Sequence, residues 1–177
     1  MTDAPEWSRL IEAAHVSLEV RKLSLEANES ERQGLARRFD LPRLDVLRAE
    51  LKLQAQSDGV HADGTLHAEL AQRCIATGDE LPLVIDTPFA LRFRHQAETG
   101  RAADFEEEVE LDASDCDTID YPGSQFDLGE ALSDTLYLAL DPFPRGPNAE
   151  AALKAAGVKS EGEAGPFGAL AELLKKG

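Results

Sequence analysis

The residues to weigh first for chemistry are the histidines and the cysteines. His15, His61, His67 and His95 stand in no recognisable nucleophile or metal motif. Pairing the segments 44–57 and 60–73 as a hairpin sets His67 opposite Glu50, and a histidine beside a carboxylate is the raw material of a general base. The same juxtaposition is also that of an ordinary cross-strand surface pair. A small hydrolase using His67 and a carboxylate is therefore the enzymatic reading open to this chain. Cys74 has no second cysteine at CxxC spacing, and Cys116 lies among acids that raise a thiol's pKa and blunt its reactivity. Two distant cysteines and no histidine pair at metal spacing cannot supply four tetrahedral ligands. The expectation is no catalytic site, no structural metal and no cofactor.

Charge carries more information than the nucleophiles do. The 177 residues hold 34 acids against 18 Lys and Arg, a net charge of -16, and residues 102–144 contain thirteen of those acids with no Lys or Arg at all. Such a block repels phosphate and attracts cationic proteins, which excludes a protein that simply coats nucleic acid but leaves room for a local basic patch. Asp104, Glu106, Glu107, Glu108 and Glu110 are the candidates for docking a basic partner; the other reading of the same run is a solvated tether. Phosphate contact, where it occurs, falls to Arg73, Arg92, Arg94, Arg145, Lys175 and Lys176. The bases between 32 and 52 (Arg32, Arg37, Arg38, Arg43, Arg48 and Lys52) read as a solvated helix and strand face, with no interleaved aromatics on which bases would stack.

These groups need a scaffold, and the composition supplies one. With 42% hydrophobic and 29% charged residues the chain is of the globular class, long enough for one domain over 1–177. No apolar run reaches the length of a membrane span, and the opening MTDAPEWSRL lacks the layout of a secretory signal, so the expectation is a cytoplasmic protein with no membrane partner. Alternation of Val16, Leu18 and Val20 predicts a strand over 15–21, with Leu23 and Leu25 continuing in the opposite phase after a bulge near Arg21 and Lys22. Asn28 with Glu31 three residues on is a capping box that opens a helix over about 29–39, stopped by Pro42.

The hairpin is the strongest structural signal. Leu47, Ala49, Leu51, Leu53 and Ala55 share one strand face, with Arg48, Glu50, Lys52 and Gln54 on the other. A turn at Asp58-Gly59, preferred to Asp63-Gly64, predicts Leu51 opposite Leu66, Ala49 opposite Ala68, Leu47 opposite Leu70, Arg48 opposite Glu69 and Glu50 opposite His67. Phe89, Leu91 and Phe93 mark a third long strand over about 83–94. Periodicity then lapses across 96–125, a long acidic stretch for which the expectation is a mobile segment. It resumes at Asp127, an N-cap for a helix carrying Leu128, Leu132, Leu136 and Leu140 and ended by Pro142 and Pro144. A flexible linker over 146–165 leads to a short C-terminal helix with Phe167, Leu170 and Leu174. The sum is an α+β fold: a largely antiparallel β-sheet, with barrel-like closure as one form open to it, a few packed helices and a long acidic loop.

Three stretches, taken in order, are similar to one known family. Residues 126–145 hold an Asp127-Leu128 helix start, reached through an acidic stretch, and the turn Leu138-Ala139-Leu140-Asp141-Pro142-Phe143-Pro144. Upstream stands Ala71-Gln72-Arg73-Cys74, followed by the strand with Phe89 and Phe93; downstream stands Gly165-Pro166-Phe167-Gly168-Ala169-Leu170. Together they resemble the signature of the YceD family, the large ribosomal RNA subunit accumulation proteins, over residues 60–177. Ala71 replaces the first cysteine of the family's Cys-x-Arg-Cys element, Arg145-Gly146-Pro147 lacks its later cysteines, and Asp141 interrupts its Leu-Pro junction. The resemblance implies a non-enzymatic ribosome-biogenesis factor that supports large-subunit rRNA synthesis, processing or stability. Within that role the charge distribution favours contact with a basic large-subunit ribosomal protein, or with large-subunit rRNA or its precursor through a local basic patch.

Overall fold

The computed structural model describes residues 5–96 and 117–158. Seven strands and three helices follow one another as β1 (Leu10–Glu12), β2 (Arg21–Glu26), α1 (Glu29–Arg38), β3 (Arg43–Gln56), β4 (Gly59–Arg73), β5 (Glu80–His95), β6 (Thr118–Tyr121), β7 (Gln125–Asp127), α2 (Leu128–Ala139) and α3 (Ala149–Ala155). The main sheet has the order β2-β3-β4-β5-β6, and β1 pairs with β7 in a separate two-stranded ribbon. The fold is α+β as the sequence predicts; the sheet is open, with β2 and β6 at its edges rather than closed into a barrel.

The described residues form two compact units, one of residues 5–71, 82–96 and 117–140 and a smaller one of residues 72–81 and 141–158. In the larger unit one apolar cluster joins the inward face of the sheet (Leu47, Ala49, Leu51 and Leu53 of β3; Ala62, Leu66, Ala68 and Leu70 of β4; Phe89 and Phe93 of β5) to Leu35 of α1, to Leu128, Leu132 and Leu136 of α2, and to Trp7. Phe93 stacks on Phe126, ring centroids 4.2 Å apart, which ties β5 to β7. The opposite sheet face carries Arg48, Glu50 and Lys52 of β3 and is exposed.

Both long helices begin where the sequence says they should. Asn28 accepts from the Glu31 amide while Glu31 accepts from the Asn28 amide, the reciprocal box expected. Asp127 caps α2 through the amides of Gly129 and Glu130 at 3.0 and 3.2 Å. The same carboxylate accepts from the Arg9 amide at 2.7 Å and the Ser8 hydroxyl at 2.6 Å, so one side chain starts a helix and fastens the N-terminal segment to it.

Four expectations need correction. Residues 16–20 form no strand: a single 3₁₀ turn at Ala13–His15 leads into an irregular stretch on which Leu18 is 77% and Val20 52% exposed. The strand begins at Arg21, where Leu23 and Leu25 come opposite Leu51 and Ala49 and gain apolar partners that the earlier phase lacks. Secondly, the β3–β4 hairpin exists but slips by two residues. Gln56 pairs with Gly59 around a Ser57-Asp58 turn, so Leu51 faces Gly64, Leu53 faces Ala62, Arg48 faces His67 and Glu50 faces Thr65. A two-residue slip keeps the same side chains on the buried face, so the apolar pattern cannot tell the two registers apart. The glycines can: Gly59 sits at φ +140, and a Cβ on Gly64 would collide with the Glu50 carbonyl and come within 2.8 Å of Leu51 Cα.

The third correction falls at the end of the acidic stretch. Residues 97–116 lie outside the described residues, but 118–121 form β6, which runs parallel to β5 with Arg92 beside Thr118 and His95 beside Tyr121. Four residues are too few to show alternation. Finally, α3 takes up Ala149–Ala155 of the expected 146–165 linker; the linker beyond 158 and the predicted C-terminal helix lie outside the described residues.

Candidate nucleic-acid interface

The six predicted phosphate contacts have different fates. Arg92 donates to Asp58 at 3.1 Å and to Thr118 Oγ1 at 3.0 Å; Arg94 grips Asp120 with two bonds of 2.8 and 3.1 Å. The guanidinium of Arg94 holds the Asp120 carboxyl below the usual range. These two arginines staple β5 to the β3–β4 turn and to β6. Arg73 ends β4 and Arg145 follows the proline turn, both exposed and both in the smaller unit. Lys175, Lys176 and the acidic candidates Asp104, Glu106, Glu107, Glu108 and Glu110 lie outside the described residues.

His67 does not meet Glu50. Its Nδ1 lies 2.7 Å from Asp86 on β5 and its Nε2 lies 3.5 Å from Glu69, while Glu50 accepts from Ser24 at 2.8 Å. Both ring nitrogens face carboxylates on the exposed side of the sheet, an arrangement that straps β4 to β5. A nucleophilic relay needs the base turned toward a hydroxyl or thiol, and among the described residues none is bonded to this imidazole. Nor do three His, Cys, Asp or Glu side chains converge as a metal-binding group among the described residues.

Cys74 is 2% exposed inside the smaller unit. Its Sγ accepts from the Gly146 amide at 3.4 Å, and its carbonyl accepts from Gly78 at 2.8 Å in a tight turn. The Gly146 amide first, and the Thr77 hydroxyl second, hold the thiol down to about 7. The Ile75 amide donates to the Pro144 carbonyl at 2.9 Å, and Gln72 Nε2 donates to the Asp141 carbonyl at 2.9 Å. The sequence element ending at Cys74 is thus joined to the proline turn some seventy residues later, with Arg73 and Arg145 flanking the junction.

A cluster that the sequence reads as merely solvated turns out to line a groove. Glu29, Arg32, Gln33, Ala36 and Arg37 recur at helical spacing on one face of α1, and this face borders a cleft of about 510 Å³ with Leu41, Pro42, Arg43, Leu44 and Asp45 on the far side. Leu41 and Leu44 are buried and form its floor. The i, i+5 pair Arg32 and Arg37 straddles the helix face, and Pro42 turns the chain so that Arg43 comes back beside them; only the helical period and the proline together carry that signal.

Comparison of the chain with protein-family models, with curated proteins and with solved structures gives no match. Among the described residues no helix is long and apolar enough to cross a membrane.

Proposed function

We propose that this protein is a non-enzymatic ribosome-biogenesis factor of the cytoplasm. It supports large-subunit rRNA synthesis, processing or stability by binding the rRNA or its precursor, with a basic large-subunit ribosomal protein as second partner. One observation carries the reading. Two of the three stretches on which the resemblance to the YceD family rests, residues 71–74 and 126–145, are remote in sequence yet joined by the bond from Gln72 to the Asp141 carbonyl, with the bonds of Ile75 to Pro144 and of Gly146 to Cys74 beside it. Motifs that meet in space are what a shared fold requires, and this supports the resemblance on grounds independent of their order along the chain. The acidic block of 102–144 supplies the charge to draw a cationic protein, an attraction that acts within about 8 Å at physiological salt.

The test is crosslinking and sequencing in cells, alongside salt-dependent co-sedimentation with precursor particles. Enriched crosslinks to large-subunit rRNA and a sedimenting fraction that falls as salt rises are the expected results. Neutralising Asp104, Glu106, Glu107, Glu108 and Glu110 should weaken that sedimentation without unfolding the chain. Background-level crosslinks together with turnover in a hydrolase screen that is lost in His67→Ala would replace this reading with the enzymatic one.

A further inference from the structure

We infer that the groove between α1 and the start of β3 seats the phosphodiester backbone of single-stranded RNA, held by Arg32, Arg37 and Arg43. The choice of RNA rests on the functional reading above; the choice of site rests on the groove itself. Three arginines meet two carboxylates there, in a chain whose overall balance is strongly acidic. Both carboxylates are exposed and partnered: Glu29 accepts from Gln33 at 3.2 Å, and Asp45 is ion-paired with Arg43.

The arginines differ in a useful way. Arg37 is exposed and its guanidinium has no hydrogen-bond or ion-pair partner among the described residues. Arg32 is half-buried and gives one nitrogen to the Ala27 carbonyl at 2.5 Å, which fixes the side chain while the rest of its fork remains for an anion. A guanidinium held in place loses little freedom when a phosphate arrives, and its planar fork suits phosphate oxygens better than an ammonium does. The floor of Leu41 and Leu44 is a low-dielectric wall behind these charges, which strengthens their pull on an anion.

The groove is open to solvent, and at about 510 Å³ it offers more room than a lone inorganic ion fills. Arg94 and the half-buried Arg92 are paired with Asp120 and Asp58, as Arg43 is with Asp45; Arg37 has no such partner among the described residues, and that is what singles out the groove.

Fluorescence anisotropy of the full chain with a labelled single-stranded RNA of about twelve nucleotides decides the matter. For single strands each phosphate contact contributes about 0.7 to the slope of log affinity against log salt. The variant R32Q/R37Q/R43Q should lose about 2 from that slope and bind at least tenfold more weakly, whereas K22Q/K154Q, which removes two exposed charges away from the groove, should leave both unchanged. Because Arg32 also braces the Ala27 carbonyl, R37Q serves as a second variant whose side chain has no hydrogen-bond partner among the described residues; it should weaken binding severalfold with little change in melting temperature. The inference is overturned if the groove variants bind RNA as the parent chain does, if K22Q/K154Q or R73Q/R145Q carries the loss instead, if the parent chain binds no RNA at low salt, or if an acidic peptide occupies the groove in preference to RNA. Co-sedimentation of the same proteins with precursor particles keeps the two readings apart. Parent and groove variant sedimenting alike means the groove is wrong and the assembly role stands, and neither sedimenting removes the assembly role.

Discussion

At the scale of single residues, two acids of different kinds report on the fold. Glu31 accepts from Arg9 at 2.7 and 3.0 Å and closes the α1 capping box, so the bond from Arg9 chiefly holds its carboxyl below the ordinary range. A depressed carboxylate stabilises the fold above its unfolded pKa, near 4.3, and that contribution disappears as pH falls through the lower folded value. Glu31→Gln keeps the cap but loses the charge. The expected outcome is a loss of about 1 kcal/mol at neutral pH and a shallower fall in melting temperature below about pH 4.3 than the parent shows. Cys74 works the same way at the other end of the scale. Its thiol, held at about 7 by the Gly146 amide, contributes stability that is complete above the unfolded value of about 8.5 and disappears as pH falls through about 7. In a Cys116→Ser background a thiolate absorbance titration should give a midpoint near 7 in the folded protein and near 8.5 in denaturant, and Cys74→Ser should abolish the rise in melting temperature between those values. Neither partner was legible beforehand, because Arg9 and Glu31 are 22 residues apart and Cys74 and Gly146 are 72 apart. The arginines of the groove were visible one by one, but the turn that gathers them is a property of the backbone.

Elements were easier to read than partners. Capping residues act on their own next few amides, so Asn28 and Asp127 announce α1 and α2 from local sequence alone. Asp127→Ala removes the α2 cap and the bonds from Ser8 and Arg9 together; a loss of about 2–3 kcal/mol in chemical denaturation is expected, against less than half that for Asp127→Asn. The hairpin shows the limit. Its inward faces were plain, but its register depended on which glycine the crowded strand pair requires. Gly64→Ala should cost about 1–3 kcal/mol, since the added methyl meets backbone of β3 rather than a side chain that can move. Hydrogen exchange across β3 and β4 checks this through the amides flanking Gly64. β6 and α3 escaped notice for a shared reason: each is too short for periodicity to rise above chance, and α3 buries only Ala149 among its residues.

For the whole molecule the governing quantity is the acidic excess. A sequence pI of about 4.5 means that mutual repulsion between copies disappears as the carboxylates titrate. Turbidity should pass through a maximum near pH 4.5 and clear again on either side. This is also where the Glu31 contribution begins to fail, so acid melts belong at low protein concentration. The parallel pair of β5 and β6 has a different consequence. Its register asks the chain to return only from His95 to the level of Arg92, three residues or about 10 Å, and then to begin again one strand over. Even allowing the dozen or so residues that a parallel crossover needs, the stretch 96–117 has length to spare. Its length is therefore not set by the register of β6, and residues can be added to it or removed without moving that strand. It is also the natural point at which to divide the polypeptide, with a fragment ending at residue 96 and another beginning near 117 able to find each other through the sheet edge and the Phe93–Phe126 stack.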